Sequence, residues 1–184
     1  MAGSMCRVRL VVLGGGGFRV PLLHRALLVD AAGGGGVVDD VVLVDPDPLR
    51  LDAVLAVLDH LGAADNGPRL TIRATTDLAK GLRGADVVFS AIRVGGLAGR
   101  VVDEQIARRQ GVIGQETVGA GGISYALRTI PVVRGIAGQI AATAPAAWVV
   151  NFTNPAGVVT EVMSEVVGER VIGICDSPAG LCRR

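Results

Sequence analysis

The sequence predicts an α/β fold built on a doubly wound parallel sheet, and three observations support this prediction. Short runs of valine, isoleucine and leucine alternate with longer segments in which apolar residues recur at helical spacing. The first apolar run ends in four consecutive glycines. Several later runs stop abruptly at polar residues, as strands do at the ligand-binding edge of an open α/β sheet. The crossovers between such strands are expected to be right-handed.

Six strands and six helices are expected along the chain. The strands cover residues 7–13, 41–44, 70–74, 85–90, 147–150 and 171–174. The helices cover residues 20–31, 48–61, 77–82, 101–110, 124–142 and 155–167. Pro48 suits the first turn of its helix, whereas Pro131 should lie near a kink or an end unless its helix starts later. About six parallel strands with a glycine-rich first loop are typical of the Rossmann fold.

Composition and charge exclude several classes of protein. The formal net charge is only +1 and no basic stripe forms, which argues against partners such as nucleic acid or a membrane surface. No apolar run approaches the roughly 20 residues that span a bilayer. The N-terminus lacks a charged segment followed by a long apolar core, so no secretory signal is expected. Three irregularly spaced cysteines favour a reducing compartment, and we therefore expect a cytoplasmic protein.

The first loop is the candidate cofactor site. Four residues between the first strand and the first helix lack a Cβ atom: Gly14, Gly15, Gly16 and Gly17. Such a backbone can approach a pyrophosphate, whose charge suits the following helix N-terminus. Asp45, which ends the second strand, could accept a hydrogen bond from a ribose hydroxyl. A flexible turn is the alternative, because Arg19 and Val20 stand where a third glycine is expected, but the order strand, loop, helix, strand and aspartate favours dinucleotide binding.

Polar residues after the later strands each allow two interpretations. Cys175 could be a small buried residue and Asp176 a helix N-cap, which spacing alone favours. They could instead be a thiolate metal ligand and a general acid or base. Asn154 could cap a helix, or contact a substrate or a metal. Arg93 could bind a phosphate or carboxylate through two hydrogen bonds, or simply be solvated.

Five sequence blocks follow one another in a specific order. They are residues 91–96 (Ala-Ile-Arg-Val-Gly-Gly), 103–106 (Asp-Glu-Gln-Ile), 111–117 (Gly-Val-Ile-Gly-Gln-Glu-Thr), 154–157 (Asn-Pro-Ala-Gly) and 174–178 (Ile-Cys-Asp-Ser-Pro). Together these blocks strongly resemble glycoside hydrolase family 4, which includes 6-phospho-α- and 6-phospho-β-glucosidases and some α-galactosidases and glucuronidases. The resemblance runs from the first strand to the last residue. It favours the functional interpretation of Cys175 and Asp176.

The resemblance implies a reaction that depends on NAD and a divalent metal. In the family, NAD⁺ accepts a hydride from C3 of the sugar, and the metal, usually Mn²⁺, polarises the C2 and C3 oxygens. A tyrosine then removes the C2 proton and the aglycone leaves by elimination, after which water adds and the hydride returns. The expected substrate is a phosphorylated disaccharide or glucoside, with a 6-phospho-β-glucoside as first choice. A homo-oligomer is expected for the full-length form.

Matching positions imply a role for individual residues. Cys175 resembles the metal-ligand cysteine, and Asp176 resembles the general acid. Arg93 and Asn154 resemble residues that contact substrate. Arg109 falls where the family has a basic residue thought to raise the basicity of the catalytic tyrosine. The residues that match the cofactor segment are Gly14, Gly15, Gly16, Gly17, Phe18 and Asp45.

Two features depart from the family pattern. The glycine loop lacks the serine and threonine that are common there. Family members are also longer, and their metal-ligating histidine and catalytic tyrosine follow the cysteine-aspartate block, so Tyr125 does not match the base. We therefore expect residues 1–184 to form the NAD-binding Rossmann domain of a longer architecture, without its C-terminal substrate and metal domain. Such a chain would be inactive by itself and prone to self-association.

Two other functions fit part of the sequence. A 2-hydroxy-acid dehydrogenase of the lactate or malate type shares the fold, and Arg93 and the Asn-Pro pair after strand five have counterparts there. The blocks at residues 114–117 and 175–176 argue against it. A non-catalytic NAD-binding module is the second alternative, and it would bind cofactor without metal dependence.

Overall fold

The structure is a computed structural model that describes residues 7–63 and 69–175. Its strands are β1 (Val8–Leu13), β2 (Val38–Val44), β3 (Thr71–Thr75), β4 (Val87–Ser90), β5 (Trp148–Asn151) and β6 (Val171–Gly173). Its helices are α1 (Val20–Ala32), α2 (Pro48–Ala63), α3 (Leu78–Leu82), α4 (Gly96–Arg109), α5 (Gly119–Thr143) and α6 (Ala156–Val167). Asp176, the expected general acid, lies outside the described residues.

The strands form one sheet in the order β3-β2-β1-β4-β5-β6. The β1–β2, β2–β3 and β5–β6 pairs are parallel. This order is that of the doubly wound dinucleotide-binding fold, so the predicted Rossmann-like α/β class is confirmed. The chain divides into two compact units, Met1–Phe89 and Ser90–Arg184, which are described in turn.

The first unit is built around β1 and β2, whose C-terminal halves are buried. One face of these strands packs against α1 and α2. The core of that face consists of Leu10, Val12, Val20, Val41, Leu43, Leu51, Val54 and Leu58. Burial on both faces explains why each strand reads as an unbroken apolar run rather than an alternating one. The register pairs Leu13 with Val44, so both strands end side by side.

The second unit packs α5 against α4 and α6. Helix α5 begins at Gly119, earlier than expected, and continues through Pro131. Pro131 therefore lies inside the helix and not at its end, and the helix does not start after it. Proline removes one backbone donor and disfavours a helix interior, but the flanking side chains of Thr129 and Val133 are fully buried. Packing of these turns outweighs the local cost.

Among the residues described, no helix combines the length and the apolar character that a membrane span requires.

Candidate functional site

The four glycines form a tight turn between β1 and α1. The amides of Gly14 and Gly15 both donate to the carbonyl of Val44 over 2.9 Å, and the Gly17 amide donates to the Gly14 carbonyl over 2.9 Å. Gly14 has a φ of 85°, which glycine adopts without steric cost. The turn is therefore fixed against the end of β2.

The turn also requires glycine because its neighbours are very close. A Cβ atom on Gly15 would lie 2.7 Å from the Cβ of Leu43, and one on Gly16 would lie 2.5 Å from the Cβ of Arg50. Both distances are far below ordinary van der Waals contact. The glycines thus let the backbone pass between β2 and α2, which is a geometric requirement that the sequence pattern did not reveal.

Asp45 connects the glycine turn to the segment that leads into α2. The residue is only 8% exposed. Its Oδ2 accepts a hydrogen bond from the Gly16 amide over 3.1 Å, and its Oδ1 accepts one from the Asp47 amide over 3.0 Å. Each carboxylate oxygen has a second lone pair, so a further donor such as a hydroxyl can still bind. The structure therefore brings Asp45 together with the glycine turn, as the sequence predicted.

The amides of all four glycines are satisfied within the chain. Three donate to the carbonyls of Gly14 and Val44, and the fourth donates to Asp45. They shape the turn rather than present donors to a ligand. At the start of α1, the amides of Val20, Leu22 and Leu23 also donate within the chain, and Pro21 has no amide hydrogen. The Phe18 ring is 82% exposed, and the Arg19 guanidinium lies 5.5 Å from its centroid.

In the second unit, the carboxyl ends of β4, β5 and β6 lie at one edge. The Phe152 amide donates to the Ser90 carbonyl over 2.8 Å, and the Ile174 amide donates to the Asn151 carbonyl over 2.9 Å. Three of the four predicted site residues that the structure describes in this unit follow these strand ends closely in the chain: Arg93, Asn154 and Cys175. The prediction that strands deliver polar residues to a common edge is thus confirmed within this unit.

Two buried polar residues fix the loop that carries Asn154, and sequence reasoning missed both. The Asn151 Nδ2 donates to the carbonyls of Thr153 and Ala156 over 3.2 and 3.3 Å, and the Thr153 amide donates to Asn151 Oδ1 over 3.0 Å. The Thr153 Oγ1 also accepts from the Ile92 amide over 3.0 Å. Buried polar groups of this kind are normally bonded. The polar run directly after an apolar strand was the only signal that could have found them.

Arg93 lies against an aromatic ring and is paired with a carboxylate. Its guanidinium is 5.3 Å from the centroid of the Tyr125 ring, and its NH2 group pairs with the Glu116 carboxylate. The side chains of Arg93 and Glu116 are 32% and 33% exposed. The guanidinium of Arg128 is 5.4 Å from the same ring. Cations favour aromatic rings at these distances, so Tyr125 supports both arginines.

Arg128 is held in turn by a buried carboxylate. Its NH1 and NH2 groups donate to the two oxygens of Asp103 over 3.0 and 2.6 Å, and its Nε donates to the Val94 carbonyl over 3.1 Å. The Ser124 hydroxyl donates to Asp103 Oδ1 over 2.7 Å. Hydrogen bonding to the Arg128 guanidinium holds the pKa of Asp103 below its usual value. This bidentate pair fixes the loop after β4, which carries Arg93.

Tyr125 serves as a packing surface in this cluster. It is only 1% exposed, and burial raises the pKa of its phenol. A neutral, buried phenol is a poor base, which agrees with the sequence-based view that Tyr125 is not the catalytic tyrosine. Its role beside Arg93 was not predicted, because the two residues are far apart in the sequence.

Two of the predicted site residues, Arg109 and Cys175, are exposed. Arg109 is the last residue of α4, and Cys175 follows β6. Within residues 7–63 and 69–175, no group of three or more histidine, cysteine, aspartate or glutamate side chains is arranged to hold a metal ion. Cys175 therefore follows the last strand of the sheet without belonging to a three-ligand group among the described residues.

The family model for Family 4 glycosyl hydrolase matches residues 10–184. This chain belongs to glycosyl hydrolase family 4. It is 35% identical over 189 residues to the 6-phospho-beta-glucosidase of Escherichia coli (strain K12), and the match covers 95% of this chain and 39% of that protein. The chain thus spans about two fifths of the length of this relative.

Solved structures agree with the family. The 6-phospho-beta glucosidase of Thermotoga maritima, solved with manganese, NAD⁺ and glucose-6-phosphate, is 33% identical with a TM-score of 0.86, and the match covers 96% of this chain and 41% of that chain. A lactate dehydrogenase from Eimeria maxima is 18% identical with a TM-score of 0.59, over 91% of this chain and 43% of that one. This second likeness shows the fold alone, so the comparisons favour the family 4 interpretation over the dehydrogenase alternative.

Proposed function

We propose that this chain is the dinucleotide-binding part of an NAD-dependent 6-phosphoglucosidase. The observation that carries the proposal is the glycine turn locked to Asp45 in a chain of family 4. The relatives named above are 6-phospho-beta-glucosidases. Because the chain spans about two fifths of their length, the proposal for the whole protein extends beyond the residues described.

The cofactor contacts follow from the geometry of the first unit. A pyrophosphate would lie beside Gly14, Gly15, Gly16 and Gly17, against the N-terminus of α1, where the positive end of the helix dipole favours an anion. Asp45 would accept a ribose hydroxyl with the lone pairs that the Gly16 and Asp47 amides leave free. The exposed ring of Phe18 offers an apolar surface to the cofactor. When bound, NAD⁺ supplies an acceptor for a hydride from the sugar.

The second unit would bind the substrate. Arg93 presents a guanidinium suited to an anionic oxygen, and the Tyr125 ring limits its movement. Asn154 would offer an amide to a sugar hydroxyl from a loop that Asn151 and Thr153 fix. Two roles remain predictions from the family resemblance. Arg109 would be a basic residue near the reacting groups, and Asp176 would be the general acid.

A divalent metal is also part of the proposal, with Mn²⁺ as first choice. Cys175 would provide one thiolate ligand. A single thiolate does not make a metal site, and the described residues supply no cluster of three ligands around it. We therefore assign no catalytic step to the metal in this part of the chain.

Exposed apolar side chains support the proposal that the full-length form is a homo-oligomer. Leu97 on α4 is 75% exposed, and Ile123 and Leu127 on α5 are 62% and 67% exposed. Apolar residues grouped on neighbouring helices are typical of surfaces that become covered. Nucleic acid is not a proposed partner, because the net charge is close to zero. A cytoplasmic location remains part of the proposal.

Calorimetric titration of the 184-residue chain with NAD⁺ tests the proposal. We expect saturable binding that Asp45→Asn weakens by about tenfold, because the hydrogen bonds to a charged acceptor are worth roughly 1.5–3 kcal/mol. Asp52→Asn, which removes an exposed carboxylate from α2, is the matched control and should bind like the wild type. A folded chain without NAD⁺ affinity, or one that reduces pyruvate or oxaloacetate with NADH, would contradict the proposal.

A further inference from the structure

We propose that Glu116 is an intramolecular competitor for the anionic group that binds Arg93. Glu116 pairs with Arg93 in the structure, and an incoming phosphate monoester would take its place. The inference rests on the proposed function only in assigning Arg93 to the substrate site. Arg93 must release the Glu116 carboxylate before it can bind a phosphate group.

Arg93 is the fixed partner of this pair. The backbone on one side of it is tied through the Ile92 amide to Thr153, and the Val94 carbonyl on the other side accepts from Arg128. The Tyr125 ring lies 5.3 Å from its guanidinium. Exchange of partners therefore does not require Arg93 to leave its place.

Glu116 is the replaceable partner. It lies in residues 110–118, which join α4 to α5 without helix or strand. Its side chain is about one-third exposed, at 33%. Asp103, in contrast, is 4% exposed and bonded to both Arg128 and Ser124. Of these two carboxylates, Glu116 is the one that a dissolved anion can displace.

The charges of the cluster explain why an anion should replace Glu116. The structure pairs each of three arginines with one carboxylate: Arg93 with Glu116, Arg100 with Glu104, and Arg128 with Asp103. Moving Glu116 away would leave one guanidinium uncompensated beside a second one on the same ring. A phosphate oxygen restores the balance, since guanidinium binds phosphate and carboxylate in the same geometry. Binding also frees the Glu116 carboxylate within the site.

The test is titration of the full chain with inorganic phosphate and with glucose 6-phosphate, followed by NMR. Glu116→Gln should bind both anions about twofold to fivefold more tightly than the wild type, because a partly exposed ion pair contributes up to about 1 kcal/mol. Glu116→Ala should show the same increase in affinity, which would exclude an effect of the side-chain amide introduced by Glu116→Gln. Arg93→Gln should lose the binding.

Glu104→Gln is the matched control, since it removes a carboxylate of the same cluster that pairs with Arg100 instead. If Glu104→Gln raised the anion affinity as much as Glu116→Gln, net charge alone would be responsible, and this would overturn the inference. So would weaker or unchanged binding in both Glu116 variants, or no anion binding by any form. An NAD⁺ titration of the same samples separates this failure from that of the proposed function, which concerns the first unit.

Discussion

The bidentate pair between Asp103 and Arg128 should be a main source of stability in the second unit. Asp103→Asn keeps the shape of the side chain but removes its charge. The amide has only one oxygen to accept the three donors that Arg128 and Ser124 now direct at the carboxylate. Arg128 would then keep its positive charge beside Arg93 without a full partner.

The expected loss of stability is about 2–3 kcal/mol. Breaking a buried ion pair costs roughly 3–5 kcal/mol, but the Arg128 side chain is 27% exposed and water can replace part of the lost interaction. For a chain of 184 residues this loss should lower the Tm by about 4–12 °C. Because Arg128 lowers the pKa of Asp103, the stabilisation is present above the unfolded pKa and is lost as the pH falls through the folded one.

Thermal unfolding followed by circular dichroism at neutral and acidic pH measures this effect. The difference in Tm between wild type and Asp103→Asn should be largest near pH 7 and should shrink as the pH falls below about 4. Glu165→Gln is the control, since the Arg134–Glu165 pair is 56% and 53% exposed and should contribute less than about 1 kcal/mol. An Asp103→Asn variant as stable as the control would refute the role given to the buried pair.

Three other substitutions test separate features. The Cβ of Gly16→Ala would lie 2.5 Å from the Cβ of Arg50, so this substitution should distort the turn and weaken NAD⁺ binding more than tenfold, or about 1.4 kcal/mol. Gly62→Ala is the control, because its Cβ would enter open space, and its NAD⁺ affinity should be unchanged. Calorimetry measures both affinities. Thr129→Val should raise the Tm by about 2–4 °C, because the buried Thr129 hydroxyl has no hydrogen-bond partner among the described residues. Burial lowers the pKa of His24, so the wild type should lose stability as the pH falls below about 6.5, and His24→Leu should lack this dependence in acid unfolding curves.

Local patterns in the sequence were sufficient to predict the fold. All six strands were predicted within a few residues, because parallel strands buried on both faces read as short apolar runs. The main errors concerned the starts of α4 and α5, which begin at Gly96 and Gly119 rather than at residues 101 and 124. Both first turns contain glycines, whose low helix propensity opposes a helix there, while packing supports it.

The candidate site was only partly predictable. The glycine turn and Asp45 follow strand ends, so their proximity follows from the parallel topology. The cluster around Tyr125 was not predictable in the same way, because Arg93, Glu116 and Arg128 come from two loops and a helix. Their contacts depend on tertiary packing and leave no periodic signal in the chain. Family resemblance supplied roles for some of these residues but not their mutual arrangement.

An NMR titration of the chain with NAD⁺ tests most directly whether the glycine turn and Asp45 bind the cofactor. We expect the amide signals of Gly15, Gly16 and Gly17 and of the first turn of α1 to shift in a saturable way. We also expect Asp45→Asn to need about tenfold more NAD⁺ for the same shifts, while its spectrum remains that of a folded chain. Saturable NAD⁺ binding that leaves the glycine turn unperturbed, or a well-folded chain that shows no shifts at all, would contradict the account.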